Sequence, residues 1–186
     1  MVPGPTLRAA SPAGLPALLL RPWREEDVPE LVEACRDPAM RQWIHQRADD
    51  AAEGLRWLEA QRQGWASGVR YAFAVLEEDA PASRRLVGNA VLKRPRPDAP
   101  SSEVGYWTTA HARGRGVAPR ALEALTAWAF DTFAGSGLER LHLLHRRGNE
   151  ASCRVARKSG YALHAPLPPS PPAHPEPGHL HVRWGR

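Results

Sequence analysis

The sequence predicts a mixed α/β domain, a single central sheet of mixed pairing with helices on both faces. Three observations predict it. Apolar runs of strand length alternate with stretches of helical periodicity in the order β-α-α-β-β-β-α-β-α-β-β. The chain has 186 residues, about one domain, and is long enough to bury a sizeable core. Its apolar and charged fractions, 42% and 24%, are those of an ordinary globular protein rather than of a disordered chain or a fibre.

Residues 1–16 are rich in Pro, Gly and Ala without periodicity and read as a disordered leader, which leaves 17–186 as one domain. Leu18–Arg21 is expected as the first strand. Asp27-Val28-Pro29-Glu30 has the form of a helix start, with a capping Asp, an early Pro and a Glu placed to bond back. Val28, Leu31 and Cys35 would form its buried face. A second helix is expected from about Asp50 to Trp65, with Leu55, Leu58 and Trp65 inward and Gly64 and Gly68 near its end. Tyr71–Leu76 and Leu86–Leu92 read as an antiparallel hairpin around the polar turn Glu77–Arg85, and the proline-containing stretch Arg94–Ser102 as a loop. Glu103–Trp107 is the next strand. A helix follows from about Pro119 to Phe133, with Leu122, Leu125, Ala129 and Phe133 inward. Leu138–His145 is a strand, Glu150–Ser159 a helix closed by Gly160, and Tyr161–Leu163 the start of another strand. The proline-rich segment 165–178 reads as a loop before a last strand over His179–Trp184.

Net charge is +5, compatible with an anionic ligand. The basic residues are spread along the chain without a long polybasic arm and without interleaved aromatic residues, so a local anion site is expected and nucleic acid is not. Cys35 and Cys153 stand far apart, each without a nearby Cys or a metal-like His spacing, so neither a disulfide framework nor a zinc site is indicated, and no metal is expected. The apolar stretch Ala13–Leu20 is interrupted by Gly14 and Pro16, and no 18-residue apolar run occurs. The expectation is therefore no signal peptide, no membrane partner and a cytoplasmic location.

The chemistry is carried by Arg113-Gly114-Arg115-Gly116-Val117-Ala118, lying between a strand and a helix. Glycines there remove the Cβ atoms that would block a ligand, the first N–H groups of the helix lack internal partners, and the helix dipole adds partial positive charge. Arg113 and Arg115 add formal charge. A dinucleotide-binding turn is a poor alternative, because Pro119 and its neighbours stand where a third glycine belongs and Arg146 and Arg147, not an acid, end the next strand.

The same six residues resemble the pyrophosphate motif of the GCN5-related N-acetyltransferases (GNAT), usually written Arg/Gln-x-x-Gly-x-Gly/Ala. About thirty residues on, Asn149-x-x-Ser152-x-x-Val155-x-x-Lys158-x-Gly160-Tyr161 resembles that family's second motif, and the likeness extends over 18–164. Glu103–Trp107 and the Asn149 series resemble the branch of ribosomal-protein N-terminal alanine acetyltransferases. The resemblance implies a GNAT-like fold: a mostly antiparallel mixed sheet of about six or seven strands, splayed between the fourth and fifth, here 103–108 and 138–145. It implies acetyl-CoA as cosubstrate and direct attack of a primary amine on the thioester. The chain is expected as a monomer or a homodimer.

By the same resemblance, Trp107, Thr108, Arg113, Gly114, Arg115, Gly116, Val117, Ala118 and Asn149 would bind the coenzyme. Glu103 would be the general base and Ser152 the group that protonates the departing thiolate. A solvated strand-end Glu, a helix-packing Ser and a plain N-capping Asn are the structural alternatives for Glu103, Ser152 and Asn149. Three departures stand out. Ala156 takes the place of the Tyr that many members use as general acid, Pro119 replaces a usual Thr or Ser, offering neither hydroxyl nor N–H, and the tract 165–178 replaces the acidic, glycine-containing connection common after the second motif. A non-catalytic acyl-CoA-binding module of the same fold is the alternative that the missing Tyr and the unusual C-terminal tract admit. His111, His142 and His145 are expected in surface or satisfied core roles, and Trp43, Trp57 and Trp65 in the core rather than in an acceptor pocket.

Overall fold

The structure, a computed structural model, describes residues 4–12, 14–44, 48–80, 83–94, 96–172 and 175–185. Its elements are β1 (Leu7–Ala9), β2 (Ala17–Pro22), α1 (Val28–Cys35), α2 (Pro38–Trp43), α3 (Ala51–Ser67), β3 (Arg70–Ala80), β4 (Ser83–Lys93), β5 (Ser101–Thr108), α4 (Val117–Phe133), β6 (Arg140–Arg146), α5 (Glu150–Lys158), β7 (Ala162–Leu167) and β8 (Gly178–Trp184). The strands form one sheet in the order β1-β2-β3-β4-β5-β6-β8-β7. Every neighbouring pair is antiparallel except β5 and β6, which run parallel.

Both faces of the sheet are covered, which is why its strands read as continuous apolar runs rather than as alternating ones. Leu18, Leu20, Phe73, Val75, Leu92 and Val104 point to the layer of α4 and α5, where they meet Leu122, Leu125 and Ala156. Leu19, Ala72, Ala74, Val91 and Trp107 point to the opposite layer and meet Leu31 and Leu58. Gly54 lets α3 lie against α1, since a Cβ there would stand 2.7 Å from Val28 Cγ1.

The structure corrects several expectations. Within 1–16, Leu7–Ala9 is a strand paired with Leu18–Leu20, which raises the strand count to eight. Arg120 of α4 helps to hold this segment, donating to the carbonyls of Ala10 and Pro16 at 2.9 and 2.7 Å. Asp27 does not cap α1 with its side chain. Its buried carboxylate instead accepts from both terminal nitrogens of Arg21, at 2.7 and 2.8 Å, and from the Arg24 N–H. Glu30 does not bond back along its helix; it accepts from the Leu86 N–H at 3.0 Å, beside the β3/β4 bulge where register shifts between Val75 and Leu76. Leu55 is exposed, because the buried stripe of α3 runs through Gly54, Leu58 and Gln61.

The hairpin strands are longer than expected. Glu77 and Glu78 continue β3 opposite Arg85 and Arg84, with Glu78 accepting from Arg84 Nε at 3.1 Å, so strand replaces most of the expected turn; residues 81–82 lie outside the described set. β7 runs into the proline-rich segment as far as Leu167, with Pro166 opposite His179. A proline is tolerated there because β7 is an edge strand whose free side needs no ladder donor. Helix α2, unread in the sequence, is capped by Asp37, which accepts from the Ala39 N–H at 3.1 Å and precedes a Pro. Among the described residues no helix is long and apolar enough to cross a membrane.

Candidate active site

The parallel ladder between β5 and β6 is short, pairing only Ser101–Val104 with Arg140–Leu143. Past that point each strand keeps its outer neighbour: β5 stays paired with β4 as far as Thr108, and β6 with β8 as far as Arg146. The sheet therefore opens between Gly105–Thr108 and Leu144–Arg146. A cavity of about 620 Å³ occupies the opening, with Glu103, Gly105, Tyr106 and Trp107 on one wall and His145, Asn149 and Ser152 on the other. Gly88 is needed to hold β4 close behind this wall, since a Cβ there would stand 2.4 Å from the Trp107 carbonyl oxygen.

Alternation along β5 divides the lining between the two faces of the sheet. Trp107 belongs to the α1–α3 layer, and Glu103 shares its face. Val104 and Tyr106 lie toward α4 and α5. The Glu103 carboxylate accepts from Lys93 Nζ at 2.5 Å, so its negative charge is held in place at the cavity rim. On the other face the Tyr106 hydroxyl donates to Ser152 Oγ at 3.1 Å, bridging the gap between β5 and α5. Burial raises the Tyr106 pKa, which keeps the phenol protonated. Asn149 caps α5 by accepting from the Ser152 N–H at 3.1 Å, which fixes Ser152 in the first turn. Ala156 is completely buried against the α4 layer rather than facing the cavity.

The glycine segment follows β5 at the same end as the opening. Gly116 caps α4 with φ +75°, without any side-chain cap, and Gly114 also has φ +75°. A Cβ at either position would meet nothing within 4 Å, so there is open space beside both glycines at the start of α4, where the first N–H groups of the helix lack intrahelical partners. Val117 and Ala118 have buried side chains and can offer only backbone N–H groups. The arginines are engaged elsewhere. Arg113 pairs with Asp37, and Arg115 donates to both carboxylate oxygens of buried Glu77 at 2.8 and 2.9 Å. Their charge is thus largely matched within the protein, and the mouth relies on backbone donors and the helix dipole.

These features fit a coenzyme carrying a diphosphate and an amide-rich arm. The mouth leaves room where Cβ atoms would stand, and the buried indole N–H of Trp107, on the cavity wall, has no acceptor among the described residues. Of the residues singled out in the sequence, Glu103, Trp107, Asn149 and Ser152 meet at one cavity, whereas Arg113–Ala118 form the separate mouth. Thr108 ends β5 opposite Gly88 and does not line the cavity.

Two features escaped the sequence reading. Tyr106 was not singled out, because only the β5–α5 gap makes its hydroxyl a partner of Ser152. His145, expected in a surface or satisfied core role, lines the cavity and gathers with Cys153, His179 and His181. Burial lowers the pKa of His145 and of His181, which favours their neutral rings. Of the tryptophans, Trp43 does line the cavity. Trp57 packs edge-on to Trp23 at 4.9 Å, and Trp65 packs likewise against Tyr71 and Phe73.

A family model described as an acetyltransferase (GNAT) domain matches residues 17–162. No curated protein matches the chain by sequence. Three solved structures illustrate the likeness in fold. A Vibrio cholerae protein described as a ribosomal-protein-serine acetyltransferase superimposes with a TM-score of 0.78 at 21% identity, each chain covered completely. Mycobacterium smegmatis RimJ in complex with CoA-disulfide gives 0.77 at 21% identity over 99% of this chain and 90% of that one. A Salmonella typhimurium acetyltransferase that modifies the N-terminal serine of ribosomal protein L7/L12 gives 0.75 at 19% identity, covering 91% and 95%.

Proposed function

Because this chain belongs to the acetyltransferase (GNAT) family and is an acyltransferase, we propose that it moves the acetyl group of acetyl-CoA directly to a primary amine, either a protein N-terminus or a small-molecule amine. The observation that carries this reading is the cavity through the opened sheet, with a carboxylate on one face and a hydroxyl pair on the other. Acetyl-CoA supplies an acyl thioester. The N–H groups of Gly114–Ala118 bind its diphosphate, and the Trp107 indole N–H and Asn149 orient the arm that enters the opening.

Glu103 then takes a proton from the incoming ammonium or amine, which must have a free lone pair to attack. Ser152 delivers its hydroxyl proton to the leaving sulfur from the opposite face, Tyr106 passes its own proton to the Ser152 oxygen through the hydrogen bond that already joins them, and the phenolate takes a proton back from water in the open cavity. This pair takes over the task for which Ala156 has no group. The likeness to proteins that act on ribosomal-protein N-termini makes a short peptide amine the first acceptor to try.

Thiol release measured over a panel of peptide, amino-acid, polyamine and aminoglycoside amines tests the proposal. We expect turnover on at least one class. Glu103→Gln should lower kcat/KM by about 100-fold or more, with coenzyme affinity unchanged. Tight acetyl-CoA binding without turnover on any amine would identify a non-catalytic acyl-CoA-binding module instead.

A further inference from the structure

We propose that His145, Cys153, His179 and His181 form a structural binding site for a tetrahedral divalent cation of the zinc class. The residues come from three elements: His145 from the end of β6, Cys153 from the first half of α5, and His179 and His181 from β8. Strand geometry does the gathering. His145 lies directly opposite His179, and alternation puts His181 on the same face two residues further along β8. One turn of α5 then lays the thiol over the three rings.

Four of the six donor–donor spacings are close to those of a coordination shell. Cys153 Sγ lies 3.4 Å from His145 Nε2, 3.3 Å from His179 Nδ1 and 3.7 Å from His181 Nε2. The two Nε2 atoms of His145 and His181 are 3.2 Å apart. All four donor atoms lie within 4.8 Å of one another. With Zn–N near 2.0–2.1 Å and Zn–S near 2.3 Å, a tetrahedral shell separates its donors by about 3.3–3.6 Å.

Ring orientation points the same way. His145 Nδ1 lies 2.8 Å from the Arg146 carbonyl oxygen, and His181 Nδ1 lies 3.2 Å from that of Tyr161. A carbonyl only accepts, so in each ring Nδ1 carries the hydrogen and Nε2 carries the lone pair. The two lone pairs then face each other, and a single thiol proton cannot satisfy both. A cation in the middle satisfies both, along with the sulfur and His179, and the backbone carbonyls are the outer partners that metal-bound histidines ordinarily have. On binding, the Cys153 S–H bond breaks, its proton passes to solvent, and the sulfur joins the metal as thiolate. Four protein ligands leave no open position, so the ion ties β6, β8 and α5 into one wall of the cavity without entering the acyl chemistry.

Cobalt titration of the full chain after chelator treatment tests this. The expected result is the intense ligand-field spectrum of tetrahedral cobalt with a thiolate charge-transfer band. It should saturate at one ion per chain and disappear on adding one equivalent of zinc. Cys153→Ser should abolish the charge-transfer band and weaken zinc binding by roughly 100-fold, and His179→Gln should weaken it similarly. Excess zinc should raise the unfolding midpoint of the parent chain by about 5 °C or more and that of both variants by markedly less. Two variants on different elements keep the test decisive if one folds poorly. A weak octahedral spectrum, no stoichiometric uptake, or an unchanged band in Cys153→Ser would overturn the proposal.

Discussion

The two sides of the opened sheet are built from different materials. At the mouth of α4 the groups open to a ligand are backbone N–H donors beside two glycines with φ +75°, and the nearby charged side chains are already paired with Asp37 and Glu77. Across the opening, the wall made by β6, α5 and β8 works through side chains: a capping amide, a hydroxyl pair, and four donor atoms crowded into one corner. A site of backbone donors needs only the local path of the chain and empty space. A site of side-chain lone pairs needs the register of separate elements to be right.

If this contrast holds, the mouth should be most sensitive to backbone shape. Gly116→Val puts a β-branched residue at φ +75° and a side chain into the open space. It should reduce acetyl-CoA affinity by about 2–3 kcal/mol, on the order of 100-fold by calorimetry, while the fold persists by circular dichroism. The wall should be sensitive to packing. Ala156→Tyr, which introduces the residue common among relatives, enters a fully buried position and should lower stability by about 1–3 kcal/mol in urea unfolding, without raising kcat. The smallest effect should come from side-chain charge at the mouth. Replacing the Arg115–Glu77 pair together by Gln and Gln removes no net charge and no backbone donor, so coenzyme affinity should change by no more than about threefold, some 0.7 kcal/mol. A large loss in this double variant, with Gly116→Val nearly silent, would reverse the contrast.

The same distinction explains what was legible in the sequence. Arg113–Ala118 is contiguous, and its glycines mark the turn directly, so strand, mouth and helix could be read together. Asn149 and Ser152 followed from a second contiguous motif. Tyr106 was invisible because its partner lies 46 residues away across a gap that exists only once β5 and β6 part. The histidine–cysteine corner was invisible for a like reason. His145 and His181 are 36 residues apart, and the proline-rich segment between them hides that β8 returns to pair with β6. Local capping was misread where tertiary partners won: Asp27 serves buried Arg21, and Glu30 serves an amide of β4. β1 was missed because three residues carry too little pattern to compete with the prolines and glycines around them.

The central claim is that exposed N–H groups at the start of α4 hold the diphosphate of acetyl-CoA while its thioester reaches the opened sheet. Amide hydrogen exchange with and without the coenzyme, resolved to peptides covering 110–122, measures it most directly. Binding should slow exchange at Gly114–Ala118, with weaker protection at Gly105–Thr108. Saturating coenzyme that protects other segments and leaves Gly114–Ala118 exchanging at the free rate would contradict it.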